Sequence, residues 1–263
     1  MKLVSYRGPG GGARVGIVEE GMVFDGGTDV FDAARGDMVG PLESVALLPP
    51  LPSPRTILGV GLNYADHAEE SGISVPEEPM LFAKLASSVI GPGDEIRLAL
   101  SQEVDYEAEL GVVIGTRASR VAADDALAHV FGYTCVNDVS ARDVQFRDGQ
   151  WMRGKSLDTF CPVGPWIVTP DEIDDPQSLA IRCVVNGRTL QDSNTSFMIR
   201  SVAQIISFAS EGITLQPGDL IATGTPAGVG FSRRPPVFLQ PGDVVRVEID
   251  GIGVLENPVV ARS

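Results

Sequence analysis

The chain has 263 residues, 43% hydrophobic and 21% charged, enough to bury a substantial core in one large domain or one domain with a small appendage. A formal charge of -15 speaks against nucleic acid or an anionic membrane surface as partner, because phosphates select basic faces. The start lacks the apolar run of a signal peptide and no window approaches the ~20 apolar residues of a membrane span, so the expected location is cytoplasmic.

In chain order, residues 1–46 carry short alternating stretches, KLVSY, ARVGIVEE and GMVFD, punctuated by glycines, which predict two or three small strands. Residues 47–56, LLPPLPSPRT, are proline-rich and extended, and read as the joint between a small N-terminal β unit (1–52) and the main domain (53–263). Strand character follows in TILGVG, MLFAKL, EAELGVVIG, GYTCVND, PVGPWIVT, LAIRCVVNGR, LIATGT and DVVRVEIDGIGVLENPV. The clearest helix is predicted over residues 196–212, with Phe197, Ile205, Ile206 and Phe208 among its apolar positions and Gly212 as its stop. Shorter helices fit NYADHAEESG, ADDALAHVF and the stretch after SARD. Strands outnumber helices without regular alternation, which excludes a doubly wound parallel sheet and gives an α+β, sheet-dominated class. No repeat of solenoid period is present.

Cys135, Cys161 and Cys183 are odd in number and far apart, so they form neither a disulfide framework nor a thiolate zinc site and are read as reduced and structural. Only three lysines occur, Lys2, Lys84 and Lys155, against 17 arginines. Arginine carries the general surface charge, which raises the question whether an internal lysine has a particular task.

The stretch DYEAELGVVIG puts Asp105, Glu107 and Glu109 on one face of a strand, because alternate side chains of an extended chain point the same way. Two readings stand: the wet face of an antiparallel sheet, or a site for a hard cation, since carboxylates about 7 Å apart along a strand can converge on one ion. Asp138, at the end of GYTCVND, either caps the following helix or is a third oxygen ligand. His67 and Glu70 are three residues apart on a short helix, either a solvated pair or an imidazole and carboxylate able to hold and deprotonate water. Lys155 lies between strand-like pieces, and Thr225 sits in the glycine-rich turn ATGTPAGVG, where a backbone can approach a small anion closely.

GLNYADH, IGPGDEI, DYEAELGVVIG, NDVSARDVQ, GKSLDTFCPVGP, GDLIATGTPAGVG and PGDVVRVEIDGIGVLENPV, in this order, closely resemble the fumarylacetoacetate hydrolase superfamily over residues 56 to about 258. The resemblance implies a mixed β-sandwich roll with a small N-terminal β domain, and a homodimer. The helix predicted over 197–211 offers one apolar surface that could support such a pairing. It implies Glu107, Glu109 and Asp138 as ligands of Mg²⁺ or Mn²⁺, with Asp105 a bystander. His67 and Glu70 match the pair that activates water, and Lys155, Gln145 and Thr225 match residues that touch the substrate's carboxylate and oxo groups. Arg142 belongs to the same SARD motif and either joins them or holds structure. Two departures from the family pattern, Leu85 after Lys84 and WMRG before Lys155, suggest a reshaped substrate mouth near Lys84 and an extra cation at Arg153 for a second carboxylate.

The implied activity is hydrolysis of a carbon-carbon bond in an acylpyruvate or fumarylpyruvate-like diketo acid through an enolate. Oxaloacetate decarboxylation and 2-hydroxyhepta-2,4-diene-1,7-dioate isomerisation are the alternatives, because one enolate serves all three. A noncatalytic ligand-binding protein on the same fold is the reading of another class. The loop 71–79, SGISVPEEP, is read either as a lid over the site or as a plain surface loop.

Overall fold

The computed structural model describes residues 1–72, 74–98 and 100–262. Among them, twelve strands form one mixed sheet. Its N-terminal part is β1 (Lys2–Arg7), β2 (Ala13–Glu19), β3 (Met22–Gly27), β4 (Met38–Pro41) and β5 (Leu47–Leu48). It continues with β6 (Ile57–Gly61), β7 (Met80–Lys84), β8 (Val89–Ile90), β11 (Ala108–Ile114), β12 (Val130–Asn137), β14 (Cys161–Val168) and β17 (Leu220–Ala222). A second sheet of five contains β9 (Ile96–Leu98), β15 (Ala180–Val185), β16 (Arg188–Asn194), β18 (Val244–Ile249) and β19 (Gly253–Ala261). β10 (Val104–Asp105) and β13 (Ser140–Ala141) make a two-stranded ribbon. The class is the expected sheet-dominated α+β.

The large sheet runs β4-β3-β2-β1-β14-β12-β11-β17-β6-β7. Its N-terminal strands continue the same hydrogen-bonded surface, with β1 joined to β14 through Lys2↔Val168 and Leu3↔Ile167. Central β11 pairs antiparallel with β12 and β17, and β17 pairs parallel with β6. β11 is apolar almost throughout because both its faces are covered. Leu110, Val112 and Ile114 pack with Cys135, Cys183, Val247 and Leu255 in the core between the sheets, while Val113 joins Val136, Ile167 and Leu220 on the opposite face. All three cysteines are buried and free. Burial pushes each thiol up, Cys161 to about 12, so they behave as core residues.

The predicted helix over 196–212 is shorter. Residues Thr195–Phe197 form a 3₁₀ turn and α5 runs Val202–Gly212. A capping box decides the start: the Ser201 side chain accepts from Gln204 N–H while the Gln204 side chain accepts from Ser201 N–H. Phe197 is left exposed, and Val202, Ile205, Ile206 and Ala209 turn into the chain's own core, so this apolar face is not offered to a second copy. The other helices are α1 (Ala65–Ser71), α2 (Ala123–Ala126), α3 (Arg142–Asp148) and α4 (Trp151–Lys155). No helix among the described residues is long and apolar enough to cross a membrane.

Ser201→Ala removes the side-chain acceptor for Gln204 N–H and is expected to lower unfolding free energy by about 1 kcal/mol. Urea denaturation should show a lower midpoint with an unchanged slope.

Candidate active site

The stretch 105–109 is not one strand. β10 ends at Asp105 and β11 begins at Ala108, with the backbone between them served by side chains: Asn137 Oδ1 accepts from Glu107 N–H (3.1 Å) and Gln191 Oε1 from Ala108 N–H (2.9 Å). The break lets neighbouring acids take separate partners. Glu107, Glu109 and Asp138 each present a carboxylate oxygen, all within 4.8 Å of one another, and all three residues are buried. Asp138 follows the last residue of β12 and donates its N–H to Glu107 O (2.9 Å), which locks the two ligand-bearing segments together. It does not cap α3, whose N-cap is Ala141.

Asp105 is fully buried and far from a bystander. It accepts from Arg142 Nε (2.9 Å), Gly230 N–H (2.7 Å) and Phe231 N–H (3.0 Å). Gly230 permits the approach, since a Cβ there would lie 2.6 Å from Asp105 Oδ1. Arg142 Nη2 lies 2.7 Å from Glu107 Oε1, Nη1 donates to Gln145 Oε1 (3.1 Å), and the guanidinium sits 4.5 Å from the centre of the Phe231 ring.

Both internal lysines have tasks. Lys155 is the last residue of α4, rather than lying between strands, and its buried ammonium donates to Glu107 Oε2 (2.8 Å), Asp138 Oδ2 (2.6 Å) and Ser140 Oγ (2.9 Å). Burial opposes its charge, but Asp138 and Glu107 outweigh that and hold its pKa above the ordinary value. Lys84, expected near the substrate mouth, is instead behind the site. Its ammonium donates to Asp138 Oδ1 (2.6 Å), Phe160 O (3.0 Å) and Lys155 O, so it orients a ligand carboxylate and the end of α4. Arg153, expected as a cation for a second carboxylate, is on the surface, where Nη2 donates to Asp148 Oδ1 (2.6 Å) and Nε to the other oxygen. Its bidentate pairing with the acid five residues earlier leaves it outside the cleft.

His67 and Glu70 share the inward side of α1, with His67 Nδ1 3.4 Å from Glu70 Oε2. Glu70 also accepts from Gly228 N–H at 3.2 and 3.1 Å. Burial raises its pKa, but the bonds from His67 and Gly228 pull it below the ordinary value. Glu70 thus ties α1 to the glycine-rich loop. In that loop Gly224 has φ +99 and donates its N–H to Glu109 Oε2 (2.9 Å), while Thr225 Oγ1 donates to Ala108 O (3.0 Å) and accepts from Gln191 Nε2 (2.8 Å).

One cleft collects His67, Glu107, Glu109, Arg142, Gln145, Lys155 and Thr225 beneath the aromatic rings of Phe82, Phe146, Trp151 and Phe231. The rings pair edge to face, Phe82 on Trp151 and Phe146 on Phe231, both at 5.5 Å. Sequence reasoning passed over this aromatic wall, and over Ser140 and Gln191; no periodicity separates such rings from ordinary core residues. Of the loop 71–79, Ile73 lies outside the described residues, and Glu77 O accepts from Arg200 Nη2 (2.6 Å).

Without a metal ion the charges balance only if one carboxylate takes up a proton. Four buried carboxylates, Asp105, Glu107, Glu109 and Asp138, face three buried cations, Lys84, Arg142 and Lys155. Burial opposes ionisation of Glu107, but Lys155 and Arg142 overcome it and hold its pKa below the ordinary range. Burial, then Asp138 and Glu107, push Glu109 well above it. An all-oxygen donor set with one surplus carboxylate fits a hard divalent cation.

The fumarylacetoacetate (FAA) hydrolase C-terminal family profile matches residues 56–260, and the chain belongs to this family. Among its relatives, the protein named oxaloacetate tautomerase fahd2, mitochondrial, of Xenopus laevis is 52% identical over 220 residues, covering 82% of this chain and 69% of that protein. The crystal structure of 2-hydroxyhepta-2,4-diene-1,7-dioate isomerase from Mycobacterium marinum is 40% identical with a TM-score of 0.83, covering 100% of this chain and 99% of that one. The structure of fumarylacetoacetate hydrolase from Exiguobacterium antarcticum is 42% identical with a TM-score of 0.87, covering both chains fully.

Raised above its ordinary 4.5, the Glu109 carboxyl contributes stability below that pH which is lost as pH climbs through the folded value. Glu109→Gln keeps an acceptor for Gly224 N–H and removes the surplus charge. In EDTA at neutral pH it should melt above wild type, by about 2–4 °C for each kcal/mol released. Adding Mg²⁺ or Mn²⁺ should raise the wild-type Tm and leave the variant unmoved; scanning calorimetry over pH 5–8 reads both.

Proposed function

We propose that this chain is a divalent-metal-dependent enzyme that interconverts the keto and enol forms of a short 2-oxo acid, with oxaloacetate the first substrate to test. The observation that carries the reading is the placement of the His67 imidazole, backed by Glu70, and the Lys155 ammonium in one cleft with the ligand carboxylates, a proton-accepting group and a fixed cation serving the same small ligand. The relatives named oxaloacetate tautomerase and 2-hydroxyhepta-2,4-diene-1,7-dioate isomerase support tautomerisation over the hydrolysis expected from sequence.

Glu107, Glu109 and Asp138 would hold Mg²⁺ or Mn²⁺, which supplies Lewis-acid polarisation of the substrate's oxo oxygen. A divalent ion turns the site's one-charge deficit into a one-charge excess, which suits an anionic substrate. Tautomerisation takes a proton from C3 and returns one to the oxygen on C2, so no atom is gained or lost. His67 is the group to accept the C3 proton, with Glu70 stabilising the imidazolium that results. Lys155, kept charged by its carboxylate neighbours and with its N–H groups on Glu107, Asp138 and Ser140, acts through its fixed positive charge where negative charge develops on oxygen. Gln145, whose Oε1 accepts from Arg142, has its amide nitrogen to offer the substrate carboxylate, while the Thr225 hydroxyl, donating to Ala108 O and accepting from Gln191, shapes the cleft wall. Arg142 is committed to Asp105 and Glu107 and so orients the ligand strand.

A second reading, hydrolysis of an acylpyruvate, is favoured by two observations: the same His67–Glu70 pair can hold a water, and the structure from Exiguobacterium antarcticum carries the name of a hydrolase. The two separate by product. With Mg²⁺, decay of the oxaloacetate enol absorbance should accelerate over the buffer rate, EDTA should abolish the effect, and His67→Ala should reduce kcat by about 10²–10⁴-fold. Release of pyruvate and a carboxylic acid from acylpyruvates, with no effect on the enol of oxaloacetate, would overturn the tautomerase reading in favour of the hydrolase.

A further inference from the structure

We propose that Asn63 is a positioning residue, which fixes the helix bearing His67 and Glu70 at a set distance from the metal-ligand strand. The residue is 1% exposed and does not line the cleft. Its side chain is fully used. Nδ2 donates to Thr223 O (2.7 Å) and Arg200 O (3.1 Å), and Oδ1 accepts from Arg200 N–H (2.9 Å). Its backbone carbonyl accepts from Ile199 N–H (2.8 Å), and Tyr64 bridges Met198. Three segments distant in sequence therefore meet at one amide.

Two of these segments belong to the chemistry. Thr223 is anchored on β11, its N–H and hydroxyl both bonded to Leu110 O at 3.1 and 2.8 Å, and the next residue, Gly224, donates to Glu109. A Cβ at Gly224 would lie 2.7 Å from the Asn63 Cβ, so the two backbones touch where only glycine fits. On the other side, Tyr64 is the N-cap of α1, and His67 follows three residues later. Tyr64 makes no side-chain cap bond, so the entry to α1 is held by its neighbour rather than by a cap of its own.

The turn is also strained. Leu62, which lines the cleft, has φ +50, a left-handed conformation that a bulky residue adopts only when its surroundings enforce it. The Asn63 bonds follow it directly. Without them the turn can relax, and α1, still tied through Glu70 to Gly228 and through Asp66 to Ser193 Oγ (2.8 Å), can pivot on those contacts and shift the imidazole relative to the carboxylate triad while the triad keeps its own partners.

The test uses the chain's two histidines, His67 and His129, in the full-length protein. Imidazole resonances are compared in wild type and Asn63→Ala, with Asn63→Asp, which keeps the acceptor for Arg200 N–H, as the second variant. The His67 signals, assigned with His67→Ala, should shift, while those of His129, which contacts Thr116, stay in place. In the kinetic arm, which rests on the proposed tautomerase activity, Asn63→Ala should lower kcat by about 10- to 100-fold with little change in KM. In the His67→Ala background it should have no further effect, since residues acting as one unit are not additive. Unmoved His67 signals in a folded variant, or full additivity with His67→Ala, would overturn the proposal. If wild type does not turn over oxaloacetate, the tautomerase reading falls and the resonances still decide the positioning role.

Discussion

Four carboxylates share the buried site of this protein with three cations, and the rest of the site follows from keeping them there. An isolated buried carboxylate would neutralise or draw in water, so each acid needs a partner that the fold supplies. Lys84 and Lys155 take opposite oxygens of Asp138, Arg142 and Lys155 take opposite oxygens of Glu107, and Arg142 with three backbone N–H groups takes Asp105. Among the described residues, Glu109 accepts from Gly224 N–H alone. The imbalance is concentrated at one carboxylate, the one beside which a divalent cation would have most to neutralise.

The architecture serves this arrangement with few parts. A central strand covered on both faces makes a rigid base for Glu109, and the break before it turns Glu107 toward Lys155 and Arg142. Side-chain amides replace the missing ladder bonds: Asn137 and Gln191 satisfy the backbone at the break, and Asn63 does the same between α1 and the glycine-rich loop. Loops carry much of the chemistry, yet each is pinned to the sheet by buried polar bonds, which is how mobile connections become precise positioning devices. The same fold carries relatives named for tautomerisation, isomerisation and hydrolysis, so the fold by itself does not fix the reaction.

Much was legible from the order of residues alone. Alternation and turn chemistry predicted a sheet-dominated α+β chain and the short helix carrying His67, because these depend on contacts within a few residues. Parity put Glu107 and Glu109 on one side, and the scarcity of lysine drew attention to Lys84 and Lys155, both of which proved buried. The start of α5 was misplaced because Phe197 and Met198 extend an apolar pattern that the capping box at Ser201 interrupts.

The partnerships were not legible, and for one reason. Whether Lys84 meets a substrate or Asp138, whether Arg153 enters the cleft or pairs with Asp148, and whether Asp105 is idle or holds Arg142 are questions about neighbours tens of residues away or about which way a short helix faces. Residue type and local spacing determine what a group is able to bind, which made the triad and the histidine pair candidates, and the family resemblance chose between their alternatives. Which of its possible partners each charge takes depends on the burial and distances set when the sheets close, since a charge removed from water must settle on whatever opposite charge the fold brings within about 3 Å.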